Sequence, residues 1–269
     1  MNRTPVRYTL FFVGAFDLVV AVAFFLRLPL AVNVWPFPGT TPLTFIFVSS
    51  IAAAVAAATL WVAASENYGA LAGIGLDYIT ILTSVSVLSF QLTASGGSPR
   101  FVASGYACAF GAMVGLGAFV WSIRIPVDNT IPMPALVRWS FVVFVLALVV
   151  VSARLILKVP NSIPWTITPD LSVLIGLMFV GAASYFVYSL VRPSWLNSAG
   201  QLAGFLAYDL VLIGPFLMRL PTVATEQRLG LIVYTIVLIY SGLLAVYYLL
   251  FFGPTRIWPT HRMPGPADR

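Results

Sequence analysis

Long apolar runs separated by short polar punctuation fill the chain. Eight runs can be marked, at residues 8–28, 43–64, 69–91, 101–123, 136–156, 171–191, 198–220 and 229–252. Each approaches the roughly 20 residues that an α-helix needs to cross a bilayer core. The pattern predicts an all-α integral membrane protein of eight transmembrane helices. The basic start, Arg3 to Arg7, followed by an apolar stretch has the outline of a signal peptide, but the stretch is long and no small-residue cleavage site follows it. We read it as the first span.

The punctuation repeats. Val6-Arg7-Tyr8 returns as Val137-Arg138-Trp139, Arg27-Leu28-Pro29 as Lys158-Val159-Pro160, and Leu71-Ala72-Gly73 as Leu202-Ala203-Gly204, all at an offset of 131 residues. Gly115-Leu116-Gly117-Ala118 faces Gly242-Leu243-Leu244-Ala245 at an offset of 127. Apolar bias alone does not explain matched loop residues, so the expectation is two tandem four-helix halves, residues 1–125 and 126–253, with a short polar tail at 254–269. An even number of spans per half returns the chain to the same side. The halves are therefore expected to be related by a pseudo-two-fold axis along the membrane normal.

With the N-terminus inside, eight basic residues (Arg3, Arg7, Arg124, Arg138, Arg192, Arg256, Arg262, Arg269) fall on the cytoplasmic side and six (Arg27, Arg100, Arg154, Lys158, Arg219, Arg228) outward. That excess gives the expectation that both termini are cytoplasmic; the membrane is expected to be a plasma membrane, most simply a bacterial one. All seven tryptophans lie at or beyond span ends, as an interfacial aromatic belt requires. The segment from Trp35 to Pro42 is expected to be a stiff turn between helices.

Composition agrees: 60% of residues are hydrophobic and 8% charged, against roughly 25% charged in an ordinary soluble domain. The basic residues stand singly, so nucleic acid is not an expected partner, whereas the lipid bilayer and a further membrane subunit are. One cysteine, Cys108, and one histidine, His261, remove the parts for disulfides, bis-histidine haem, zinc centres and Ser-His or Cys-His catalysis. Lys158, the only lysine, ends a run and cannot carry a mid-membrane Schiff base. No cofactor and no metal are expected.

Candidate chemistry therefore rests on carboxylates inside the spans: Asp17, Asp77 and Asp209. Such groups are costly in a bilayer and normally face a partner, water or the bundle interior. Asp77-Tyr78 and Tyr208-Asp209 occupy corresponding spans with the Asp/Tyr order swapped, so Asp77 falls opposite Tyr208 and Tyr78 opposite Asp209. If the two acids meet near the pseudo-axis, they supply a proton or cation relay, or an acid/base pair for a membrane-embedded enzyme acting on lipid or peptide. The motif spacing of intramembrane aspartyl proteases is not met. The structural alternative is that Thr80, Thr83, Ser84 and Ser86 satisfy the acids, and that Asp17 serves Arg27 or Arg154.

Arg27, Arg154, Lys158 and Arg219 together would make an outward basic vestibule for an anionic ligand. Small residues in the second span (Ser49 to Ala58) and the fourth (Gly105 to Gly117) imply close helix packing. Gly214-Pro215 is expected to break the seventh span beside Asp209 and free carbonyls for a cavity. The functional expectation is a non-enzymatic membrane protein, either permease-like for an ion or small solute or an accessory subunit of a membrane complex. The first requires a cavity holding the carboxylates; the second requires a packed centre and an exposed face rich in Gly and Ala.

Overall fold

The computed structural model describes residues 3–126 and 130–255. Among the described residues nine α-helices follow in order: α1 Thr4–Phe25, α2 Pro29–Val34, α3 Pro42–Ser65, α4 Leu71–Ala94, α5 Arg100–Ser122, α6 Ala135–Ile156, α7 Pro169–Val191, α8 Trp195–Arg219 and α9 Thr225–Val246. A 3₁₀ turn, Tyr68–Ala70, leads into α4, and a π turn, Tyr247–Phe251, extends α9. All but the six-residue α2 are long and apolar enough to span a membrane. The protein is thus a polytopic, multi-pass membrane protein. Of the polar tail expected at 254–269, residues 256–269, with Arg256, Trp258, His261, Arg262 and Arg269, lie outside the described residues.

Local chemistry sets the helix ends. Proline occupies the first turn of α1, α2, α3 and α7, where its missing N–H costs nothing. Thr168 Oγ1 accepts from Leu171 N at 3.3 Å and Ser194 Oγ from Asn197 N at 3.2 Å, capping α7 and α8. Both α1 and α6 stop in a left-handed residue, Arg27 (φ 52°) and Lys158 (φ 57°). The following amides turn back onto the helix, Leu28 N to Ala23 O and Val159 N to Arg154 O, each at 2.9 Å.

Four helices form the centre. α3 packs on α8 and α4 on α7, while α1, α5, α6 and α9 lie outside α3, α4, α7 and α8 respectively. Burial follows: 67% of the apolar stretch of α7 is inside the protein but only 17% of that of α5. Glycine permits the closest crossings. A Cβ on Gly75 would stand 2.8 Å from Phe119 N, and one on Gly204 would stand 2.9 Å from Ala54 O. Ala54 of the second span and Gly105, Gly111 and Gly115 of the fourth thus serve close packing, whereas Gly117 faces open space.

The connections gather on two faces. One, the terminal face, holds the start of α1 and the end of α9, with Arg7 Nη1 paired to Glu66 Oε1 at 2.6 Å. On the opposite face the proline-rich loops meet, Phe37 edge-on to Phe101 and Thr40 Oγ1 donating to Thr166 O. The segment from Trp35 to Pro42 is therefore a packed turn with a short helix before it.

Not all of the tryptophans form the expected aromatic belt. Trp165 and Trp195 are 2% exposed and belong to the core, and Trp35 packs edge-on to Phe24. Only Trp139, 68% exposed, among the described tryptophans is freely presented to the surroundings. Span-end position alone does not distinguish a ring facing lipid from one folded under a loop.

Candidate functional site

A cavity of about 510 Å³ lies between α3, α4, α6, α7, α8 and α9. Helical spacing builds its wall: Ile74, Asp77 and Ile81 from α4, Ile51, Ala54 and Ala58 from α3, and Gln201, Gly204 and Tyr208 from α8 each form one stripe. Its mouth is on the opposite face, at Asn161 and Ser162 of the α6–α7 loop and Glu226 in the first turn of α9. Asp77, Tyr185 and Gln201 lie at the other end. Each is six residues from its helix end at the terminal face, about 9 Å at 1.5 Å per residue. The cavity therefore crosses most of the helical thickness before it closes.

Aromatic packing makes the closure. The Tyr185 ring lies so near Gly73 that no side chain fits there, and Tyr188 Oη donates to Gly69 O at 3.4 Å. Trp61 and the Tyr185 hydroxyl both stand 3.2 Å from where a Cβ on Gly200 would be.

The closed end is polar and unsatisfied. Asp77 is 8% exposed and packs on Gly181, where an added Cβ would lie 2.6 Å from Oδ1. Oδ1 of Asp77, the Tyr185 hydroxyl and Oε1 of Gln201 all lack a hydrogen-bond partner among the described residues. Buried polar atoms are normally paired, so the wall at this end of the cavity is under-satisfied.

Structure redistributes the residues singled out in the sequence. Asp77 and Tyr208 line the cavity, whereas Asp209, fully buried, faces Gly242 of α9, 3.5 Å from a built Cβ there. Asp77 belongs to the α4–α7 contact and Asp209 to the α8–α9 contact, and no hydrogen bond joins them. Asp17 serves neither Arg27 nor Arg154; it accepts from Tyr78 Oη at 3.1 Å, tying α1 to α4. Thr80 and Ser86 do not serve the acids, because Thr80 Oγ1 donates to Leu76 O at 2.8 Å and Ser86 Oγ to Gly105 O at 2.8 Å. The Tyr208 and Tyr234 hydroxyls pair across α8 and α9.

None of Arg27, Arg154, Lys158 and Arg219 lines the cavity, whose mouth carries Glu226. Gly214-Pro215 does not line it either, and α8 runs on as helix through Pro215 to Arg219. Sequence reading passed over Gln201, Tyr185 and Glu226. Gln201 carried a usable signal, an amide inside an apolar run.

On one flank α6 and α9 meet near the terminal face, where Ser140 Oγ and Tyr240 Oη are 2.7 Å apart. Towards the opposite face they line the cavity from separate sides, Ala147 and Val151 on α6 and Leu229 and Val233 on α9. Leu229 is 73% and Val233 52% exposed, so this lip of the cavity faces the membrane.

The sequence matches no protein-family model, and comparison with curated proteins and with solved structures gives no match either.

Proposed function

We propose that the protein is a non-enzymatic, permease-like carrier whose solute occupies this cavity. One observation carries the reading: a deep cavity, open at one face and shut at the other, ends in the unpartnered polar groups of Asp77, Tyr185 and Gln201. An accessory subunit would want a packed centre and a Gly/Ala face. Here the centre is hollow, and the exposed side of α5 carries bulky Tyr106, Phe110 and Met113. The enzyme reading needed two carboxyl groups within reach of each other or of one shared water; Asp77 on the α4–α7 contact and Asp209 on the α8–α9 contact favour the carrier instead.

The proposed frame is two tandem four-helix halves about an axis along the membrane normal, with both termini cytoplasmic and the mouth outward. Exchanging the halves maps α3 on α8 to α7 on α4, and each outer helix to its counterpart. The left-handed caps at Arg27 and Lys158 stand 131 residues apart. Gly115 approaches Tyr78 as Gly242 approaches Asp209. The same exchange places Leu148, a cavity-lining residue, where the first half has Asp17 bonded to Tyr78. That difference supports a cavity on one side only.

The test is native mass spectrometry of the protein released gently in its own lipids. The expected result is a single chain retaining a small molecule that Leu148→Trp, which fills the cavity, displaces. A reproducible second subunit with no retained small molecule overturns the proposal.

A further inference from the structure

The charged groups on the cavity wall are all of one sign. Among the described residues its lining holds Asp77 at the closed end and Glu226 at the mouth, and no Arg, Lys or His, in a chain with 14 Lys+Arg against 8 Asp+Glu. The orphan atoms at the closed end agree with that sign. Asp77 Oδ1 and Gln201 Oε1 are acceptors, and the Tyr185 hydroxyl can accept as well as donate. Between the two acids lie the rings of Phe144, Phe179, Phe205 and Tyr208, whose faces attract cations.

An anion entering this cavity would meet two carboxyl groups and no basic side chain. A wholly apolar guest would leave Asp77 and Gln201 without partners, which discriminates against it. We infer that the cavity takes an organic ammonium, a protonated primary or secondary amine on an apolar body, with its N–H groups towards Asp77 and Gln201. The volume suits a body of drug-like size. This inference rests on the carrier reading only in assigning the cavity to a solute.

Basic residues do surround the mouth at a distance, since Arg27, Arg154, Lys158 and Arg219 share its face of the membrane. Outside the lining, Arg27, Arg154 and Lys158 are exposed to solvent and screened beyond about 8 Å at physiological salt. They slow the approach of a cation; the wall sets its affinity.

The experiment uses the protein in lipid nanodiscs and three probes of one shape: 1-adamantylamine, 1-adamantanol and 1-adamantanecarboxylate, with the phenylbutyl amine, alcohol and acid as a second set. The amine of at least one set is expected to bind saturably and at least about tenfold tighter than its alcohol or acid. Asp77→Asn should bring the amine down to the level of the alcohol, Asp77→Glu should restore part of the difference, and Leu148→Trp should abolish binding. The inference is overturned if no amine outbinds its matched alcohol, or if folded Asp77→Asn protein binds the amine as tightly as the original. Transport separates the two ideas. An amine that binds but is not accumulated by proteoliposomes sinks the carrier and leaves the ammonium site, whereas an alcohol or acid that binds best and is accumulated does the reverse.

Discussion

Gly115 and Gly117 lie two residues apart on α5, and alanine should act on them in opposite directions. A Cβ at Gly115 would stand 2.8 Å from Tyr78 Cβ and 3.2 Å from Gly75 O, whereas one at Gly117 meets no atom within 4 Å. Carbon atoms rest at about 3.5–4.0 Å, so α5 must withdraw from α4 by about 1 Å to admit Gly115→Ala. Overfilling of this kind costs about 1–3 kcal/mol. Both substitutions gain about 1 kcal/mol of helix propensity, which cancels in the comparison. Gly117→Ala should therefore exceed Gly115→Ala in stability by about 1–3 kcal/mol, the packing cost alone. Trp121 reports the event, because its ring sits 6.0 Å from that of Tyr68 and loses this neighbour when α5 detaches. Reversible unfolding in mixed micelles, followed by tryptophan fluorescence, measures the difference. Equal stability of the two variants would refute the close α4–α5 crossing.

Other substitutions test other joints. Tyr78→Phe deletes the donor to Asp17 and should cost about 1–3 kcal/mol, more than Asp17→Asn, whose amide oxygen still accepts; the same unfolding assay ranks them. Lys158→Gly relieves a left-handed φ of 57° and should raise stability by about 0.5–1 kcal/mol, while Lys158→Val should lower it, read as paired shifts in thermal midpoint. Glu66→Gln removes the half-exposed pair with Arg7 and should cost less than about 1 kcal/mol, an effect that fades as salt is raised.

Hydropathy made all eight spans legible, because crossing a bilayer imposes a length and a composition that no tertiary contact has to supply. The apolar runs drawn to Leu28 and Ile156 end within three residues of α1 and α6, which stop at Phe25 and Ile156. The site was legible only in part. Asp77 stood out as an intramembrane acid, but whether it meets Asp209 or Gly181 depends on the rotation and crossing of four helices, and a swap of one position turns a side chain by about 100°. Asp17 and Tyr78 are 61 residues apart, and nothing local links them. The tryptophans illustrate the same limit, since Trp165 is buried by the loop that bears it and by helices distant in sequence. Glu226 was passed over because it lies outside the apolar runs, where attention to intramembrane charge does not reach.

On the proposed reading, the exposed lip formed by Leu229 and Val233 gives a solute a second way in beside the mouth, with the membrane as its reservoir. A guest with an apolar body of five methylenes partitions into lipid with about 4 kcal/mol of driving force, roughly a thousandfold enrichment over water. Occupancy then follows the amount of compound dissolved in the leaflet beside the lip, and empty lipid vesicles added at a fixed total amount of compound lower it, because they deplete membrane and water together.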